Sequence, residues 1–220
     1  MLLWAVGATV ATAVAYWYAP ARANRRRLRH AKLCTIADFP HGGTKRIAGR
    51  LKLEGDYVLI APISGRKCAA YEVLVQGLDS HSDEKWDTVA YEVQAVPFVI
   101  EDATGRAHID PARAKLLVTL DQHQFSGTTN RLTPQAAAFL HRHGQGTSPW
   151  AARRPLRFRE GVLEPNEMVT ALGPGRVSID GDVDSPHTGG YRTPAGARKL
   201  EIAAGDRGEL LISDDPSVVG

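Results

Sequence analysis

The sequence is poor in cysteine: Cys34 and Cys68 are its only two, too few for a disulfide framework and in keeping with a reducing compartment. No Cys-x-x-Cys pair occurs, so a structural zinc site has no support. The eight histidines are scattered. Their one close pair, His141 and His143, falls two residues apart in a helical pattern, about 200° around the axis, and cannot face one metal ion. Both are expected as exposed helical side chains. A Gly-x-x-x-x-Gly-Lys-Ser/Thr phosphate loop is also missing: "HGGTKR" lacks the spacing, and "GPGR" at 173–176 lies between two strand patterns and reads as a tight hairpin connection. Glu101-Asp102 and Asp214-Asp215 sit beside turn formers as solvated carboxylates, without the contrasting environments that acid–base catalysis requires. These absences leave no residue assigned to catalysis and no metal or cofactor expected.

Acid is missing from the N-terminus. None precedes Asp38, and residues 1–21, "MLLWAVGATVATAVAYWYAPA", carry no charge of either sign. As a helix rising about 1.5 Å per residue, they reach roughly 30 Å, the hydrocarbon thickness of a bilayer. Trp4 near one end and Tyr16, Trp17 and Tyr18 near the other stand where interfacial aromatics belong. Arg22, Arg25, Arg26, Arg27, Arg29 and Lys32 come directly after, and positive charge stays on the cytoplasmic side. The expectation is a single-pass membrane protein with its N-terminus out and its soluble part in the cytoplasm. A secretory signal carries its cations before the apolar stretch, so this segment reads as a retained anchor. The lipid bilayer is the first partner expected, with Arg25, Arg26 and Arg27 at the interface. Because these six cations outweigh the chain's overall +3, the residues after Lys32 carry a net −3, without the basic footprint of a nucleic-acid binder.

Beyond residues 33–44, a linker or entry segment whose period is broken by Pro40, Gly42 and Gly43, short apolar runs alternate with turn residues. "AAYEVLVQGL" and "WDTVAYEVQAV" alternate with period two and are expected to pair as a hairpin. In the second of them Val89, Tyr91 and Val93 form the apolar face against Thr88, Glu92 and Gln94. A further hairpin turns at Asp102-Ala103-Thr104-Gly105. One soluble helix is expected near 133–143, with Thr133 as N-cap, Pro134 at the first position, Ala136, Phe139 and Leu140 inward, and Gly144 as stop. The last third holds strands around Leu156 and Phe158, Met168 and Val169, and Val177 and Ile179, a Gly/Pro/Thr-rich loop at 181–197, and "KLEI" and "GELLISDDP", which could close the sheet. The fold class is therefore mainly β, a barrel or a sandwich, plus one N-terminal transmembrane helix. The organisation is a span over 1–21, a basic juxtamembrane segment and linker over 22–44, a β-rich domain over 45–213, divisible into 45–126 and 154–213 joined by the helix, and a tail over 214–220.

"APISGRKCAAYEV", residues 61–73, is the stretch that most resembles chemistry. Arg66 and Lys67 would favour a Cys68 thiolate if they lay beside the sulfur. In an extended segment, however, Lys67 and Cys68 point to opposite faces, and free cysteine usually packs as a small hydrophobe. Pro62, Ser64 and Gly65 form a turn. Ser64, Gly65, Arg66 and Cys68 are therefore candidate binding residues, with a turn entering a buried strand as the simpler reading.

"RIAGRLKLEGDYVLIAPISGRKCAAYEVLVQ", the tryptophan in "KWDTVAYEV", and "PFVIEDATGRAHIDP" together resemble the GIDE (BESIDE) domain of membrane-bound ubiquitin ligases and their prokaryotic, RING-less relatives. "RFREGVLEPNEMVTALGPGRV" is similar to the family's later segment E-x-(I/V)-L-x-x-G-x-x-V-x-x-x-G, with Asn166 where the pattern has Gly, and "LLISDDP" resembles the end of many bacterial members. The resemblance covers most of residues 45–213. It implies ubiquitin–protein transferase activity, which in the animal members resides in a zinc-binding RING behind a second membrane span. Two cysteines cannot supply a RING's eight Cys/His ligands at their paired spacings. The expectation is therefore a non-catalytic module that binds a protein partner or ligand at the membrane surface, with the family's ligase activity as the alternative.

Overall fold

The structure, a computed structural model, describes residues 22–78, 85–125, 132–145, 155–179, 198–205 and 208–219. The uncharged segment 1–21, with Trp4, Tyr16, Trp17 and Tyr18, lies outside them, as do most of the polar tip at 80–85 and the loop at 181–197. Among the described residues no helix is long and apolar enough to cross a membrane.

A helix occupies residues 22–30 (α1). Nine strands come next: β1 Thr44–Leu53, β2 Leu59–Ile60, β3 Lys67–Cys68, β4 Ala70–Leu78, β5 Trp86–Ala95, β6 Phe98–Asp102, β7 Gly105–Asp110, β8 Lys115–Leu116 and β9 Gln122–Phe125. Then come α2 Pro134–Arg142, β10 Leu156–Leu163, β11 Met168–Ile179, β12 Arg198–Ala203, β13 Leu211–Ser213 and α3 Pro216–Val219.

The strands form two main layers. In one, the pairing β1-β6-β7-β12-β11 returns from β11 to β1 and closes a five-stranded barrel, with β13 and β8 extending from β11. Closure works because β11 is long enough to use both edges. Residues 168–174 pair with β1, 175–179 pair with β12, and 170–172 also pair with β13. Ile47, Leu51, Phe98, Ile100, Ile109, Val169 and Ile202 fill its core. The other layer is a four-stranded antiparallel sheet, β5-β4-β10-β9, against which α2 packs Ala136, Phe139 and Leu140. Each layer draws strands from both halves of the chain. The choice between barrel and sandwich is thus resolved as a closed barrel beside an open sheet.

Both expected hairpins form, β4 with β5 and β6 with β7. Helix α2 begins as its sequence dictates: Thr133 caps it by accepting from Ala136 N, Pro134 opens it, and Gly144 comes just after it in the left-handed region at φ 70°. Three expectations are corrected. "GPGR" is no hairpin, because β11 runs straight through it. A Cβ on Gly175 would lie 2.3 Å from Cε1 of Phe39, and one on Gly173 would lie 2.9 Å from Cδ1 of Leu210. The glycines are there to let neighbouring side chains approach the strand, a use that local turn statistics cannot distinguish. Residues 33–44 are no free linker either, since Ile36 and Phe39 are buried in the barrel core. Finally, of the apolar residues read for β5, Val89 joins the core beneath α2, but Tyr91 and Val93 lie on the opposite face of the sheet. Register places Glu92 opposite Val73 and Gln94 opposite Tyr71, so the polar residues share the face of the helix, while Val93 is 40% exposed. A bulge between Val75 and Gln76 shifts the alternation near the start of β5.

Candidate functional site

The loop joining β2 to β3 holds the candidate residues Ser64, Gly65 and Arg66, and its shape is set from 96 to 97 residues away. Glu160 in β10 is fully buried and accepts from the backbone N–H of Ile63 at 2.8 Å and of Ser64 at 3.0 Å. A carboxylate taking two backbone donors satisfies a loop that lacks sheet partners of its own. Gly65 turns the chain at φ 74° and donates to the carbonyl of Ala61 at 2.9 Å. The Ser64 hydroxyl accepts from the backbone N–H and Nε of Arg66. Arg66 Nη1 and Nη2 then grip Asp121 in a two-pronged pair at 3.1 and 3.0 Å, and Nη1 also reaches Glu164 Oε2 at 3.3 Å. That hydrogen bond from Arg66 holds the Asp121 carboxyl below its ordinary range. The arginine is a tie between segments.

Cys68 is fully buried, while Lys67 is exposed, as their alternation in β3 requires. Burial pushes the Cys68 thiol up to about 12, and the nearby Glu160 charge adds to the rise against a smaller opposing effect of Arg66. No thiolate forms near neutral pH. Of the four candidates, Ser64, Gly65 and Arg66 come together in the loop, and Cys68 leaves it for the core of the sheet.

Beside this loop lies an open groove of roughly 470 Å³, bounded by Ile60, Ala61, Pro62 and Gly65 on one side and by Gln135, Ala138, Phe139 and Arg142 of α2 on the other. Tyr71, Glu92 and Gln94 form its floor. Ser64, Arg66 and Cys68 do not line it. Four donors converge on Glu92: the Tyr71 hydroxyl, Arg142 Nη2 at 3.2 and 3.1 Å, His143 Nε2 at 2.6 Å, and Gln94 Nε2 at 3.4 Å. Burial acts to raise the Glu92 carboxyl, but the hydrogen bonds from Tyr71, His143 and Arg142, with the charge of Arg142, leave it below the ordinary value. Burial and the Glu92 contact push the Tyr71 phenol up. His143 is thus not the exposed helical histidine read from the sequence: its ring is half-buried, stacks on Phe139 at 4.5 Å and closes the Glu92 cluster. The pattern at 133–143 could not reveal this, because its partner is on β5. What the groove presents to an incoming molecule is apolar surface from Ile60 and Ala138, amides from Gln94 and Gln135, and a carboxylate whose charge is already met.

A second polar cluster lies on the opposite face of the sheet. Burial raises the Glu72 carboxyl to about 7, against a hydrogen bond from Tyr91 at 3.3 Å and the charge of Arg25. Arg25, expected at the bilayer interface, faces this cluster and Asp215, while Arg26 is exposed on α1 and Arg27 pairs with Glu209 at 2.7 Å. Burial also raises Asp214, which accepts from the N–H and hydroxyl of Thr119 and is therefore no ordinary solvated carboxylate. Among the described residues no group of three or more His, Cys, Asp or Glu is placed to hold a metal ion.

The segment at 160–173 explains itself residue by residue. Glu160 anchors the loop, Val162 and Leu163 enter the two separate cores, Val169 is buried in the barrel, and Gly173 admits Leu210. Asn166, where the pattern has Gly, has φ 69° and is the non-glycine residue with positive φ among those described. Asn is the side chain that tolerates this conformation best after glycine. Trp86 is held between the Arg157 guanidinium, 4.3 Å from its ring, and the edge of Phe125.

The model of the GIDE family, described as E3 ubiquitin ligase, matches residues 73–191. The chain belongs to the GIDE family. Comparison with curated proteins and with solved structures returned no match. In this GIDE chain the matched span starts within β4, just after the loop of Ser64 to Arg66, and takes in Glu92, α2 and the Glu160 to Gly173 segment.

Proposed function

We propose that this GIDE domain is a membrane-tethered, non-catalytic module that binds a partner in the groove between the 60–65 loop and α2. The observation that carries the reading is the state of Glu92. Ringed by Tyr71, His143, Arg142 and Gln94, it has its charge and lone pairs engaged. Apolar walls and two amides favour recognition by shape and hydrogen bonding. Cys68, buried and held as a thiol, adds no nucleophile. The uncharged stretch 1–21 and the cations after it support a single-pass tether with the N-terminus out and this domain in the cytoplasm. The test is a photo-crosslinking side chain at Ile60, on the groove rim, compared with one at Ile179, an exposed apolar position away from it. A discrete adduct from position 60 alone supports the proposal; none, or the same adducts from both positions, sinks it.

The family description supports a second reading, ubiquitin–protein transfer. With two cysteines this sequence would have to act without a RING of its own, supplying the membrane and substrate side of a ligase. Discharge of a ubiquitin-loaded conjugating enzyme faster with the chain than without it would favour this reading over the first.

A further inference from the structure

The geometry of α1 divides its arginines between two tasks. At about 100° per residue, positions 24, 28 and 31 fall on one stripe. Asn24 and Leu28 on that stripe are buried, and Leu28 and Ala31 pack with Leu117, Leu172, Leu211 and Val218. Arg25 and Arg27 flank it, and each is met by an acid of the domain, Arg25 Nε by Asp215 at 3.7 Å and Arg27 Nη1 by Glu209 at 2.7 Å. Arg22, Arg26 and Arg29, spaced i, i+4 and i+7, lie on the opposite side and are exposed. Arg22 and Arg26 meet no carboxylate among the described residues. Arg29 donates to the neutral hydroxyl of Ser217 at 3.1 Å and lies close enough to Asp215 to help hold that carboxyl low.

We propose that the Arg22, Arg26 and Arg29 stripe is a docking surface for anionic phospholipid headgroups, while Arg25 and Arg27 hold the helix to the domain. Two observations identify lipid as the occupant. The stripe is cationic and nearly free of apolar side chains, the complement of an anionic leaflet. It also begins directly after the 21 uncharged residues at the N-terminus. The inference rests on the tether reading and adds to it that lipid charge governs how closely the domain lies on the membrane. Each arginine near an anionic surface is worth about fivefold in partitioning, falling off with added salt.

The test uses the full chain with a nitroxide on Cys34, the half-exposed thiol just beyond α1; Cys68 is buried and stays unlabelled. The labelled chain is floated with phosphatidylcholine vesicles and with vesicles that also contain phosphatidylglycerol. It should float with both, while collisions of the label with a water-soluble nickel chelate fall severalfold only in the anionic vesicles. The R22Q/R26Q/R29Q variant should lose that fall, and R25Q/R27Q should keep it. Equal accessibility in both lipids, or a fall that survives the triple substitution, overturns the proposal. Failure to float with phosphatidylcholine is a separate result that overturns the tether. The stripe is then judged by flotation with anionic vesicles, supported where binding is lost in the triple variant and overturned where binding never occurs.

Discussion

Asn166 and Glu160 show how much a single residue can specify in this chain. At φ 69° Asn166 occupies backbone space that a β-branched side chain enters only at a cost. Asn166→Val should lose about 1–2 kcal/mol in chemical denaturation, whereas Asn166→Gly should stay within about 0.5 kcal/mol. Equal losses for both would place the effect in the hydrogen bond that Asn166 Oδ1 accepts from Lys52 Nζ instead of the backbone conformation. Glu160 holds two backbone donors of a loop almost a hundred residues away in sequence. Glu160→Gln keeps the volume but offers only one acceptor oxygen. It should cost about 1–3 kcal/mol, and amide exchange at Ile63 and Ser64 should rise well before that of β10. A stability loss with no local change in exchange would mean that the loop stands without its anchor.

At the scale of elements, the sheet face that carries Glu72 makes a prediction about pH. Burial raises the folded carboxyl from 4.5 to about 7. The folded chain therefore holds more protons than the unfolded chain between those values, and this group's favourable contribution, complete below 4.5, is lost as pH rises through about 7. Glu92, Asp102, Asp121 and Asp215 are shifted down and act in the opposite sense at lower pH, so the comparison with a variant isolates Glu72. Glu72→Gln should gain on the wild type as pH rises from 4.5 to 7, by about 1.4 kcal/mol per unit at the steepest, and the difference should level off above that window. A difference that does not vary with pH would show that Glu72 titrates as it does in the unfolded chain.

Elements also differ in how openly the sequence announces them. Helix α2 and the hairpins β4–β5 and β6–β7 are legible because cap, period and turn residues lie within each segment. β11 is not, since Gly173-Pro174-Gly175 looks like a turn until Phe39 and Leu210 are known to pack on it. The inward face of β5 is misread from sequence because its polar residues find their partners on α2 and β4, and alternation alone cannot show a carboxylate met by an arginine, a histidine and a tyrosine. At the site, the 61–73 stretch reads correctly as a turn entering a buried strand. The groove beside it is invisible in sequence, because Ile60, Glu92 and Ala138 come from three elements that only the fold brings together.

At the scale of the whole molecule, a closed barrel and an open sheet are stitched by β10, which sends Val162 into one core and Leu163 into the other. The barrel supplies the platform for α1, and the sheet, with α2, supplies the groove, so the proposed lipid-docking stripe and the proposed binding groove fall to different parts of one fold. The proposed function rests on the groove, and Ala138 is the place to test it. It is exposed on α2, lines the groove and has no polar contact to lose. The measurement is the yield of the position-60 photo-crosslink in the Ala138→Trp chain, alongside its thermal unfolding. Occupancy of the groove by a partner predicts that the adduct disappears while the melting transition stays where it was. An adduct that persists undiminished in a folded Ala138→Trp chain would contradict it.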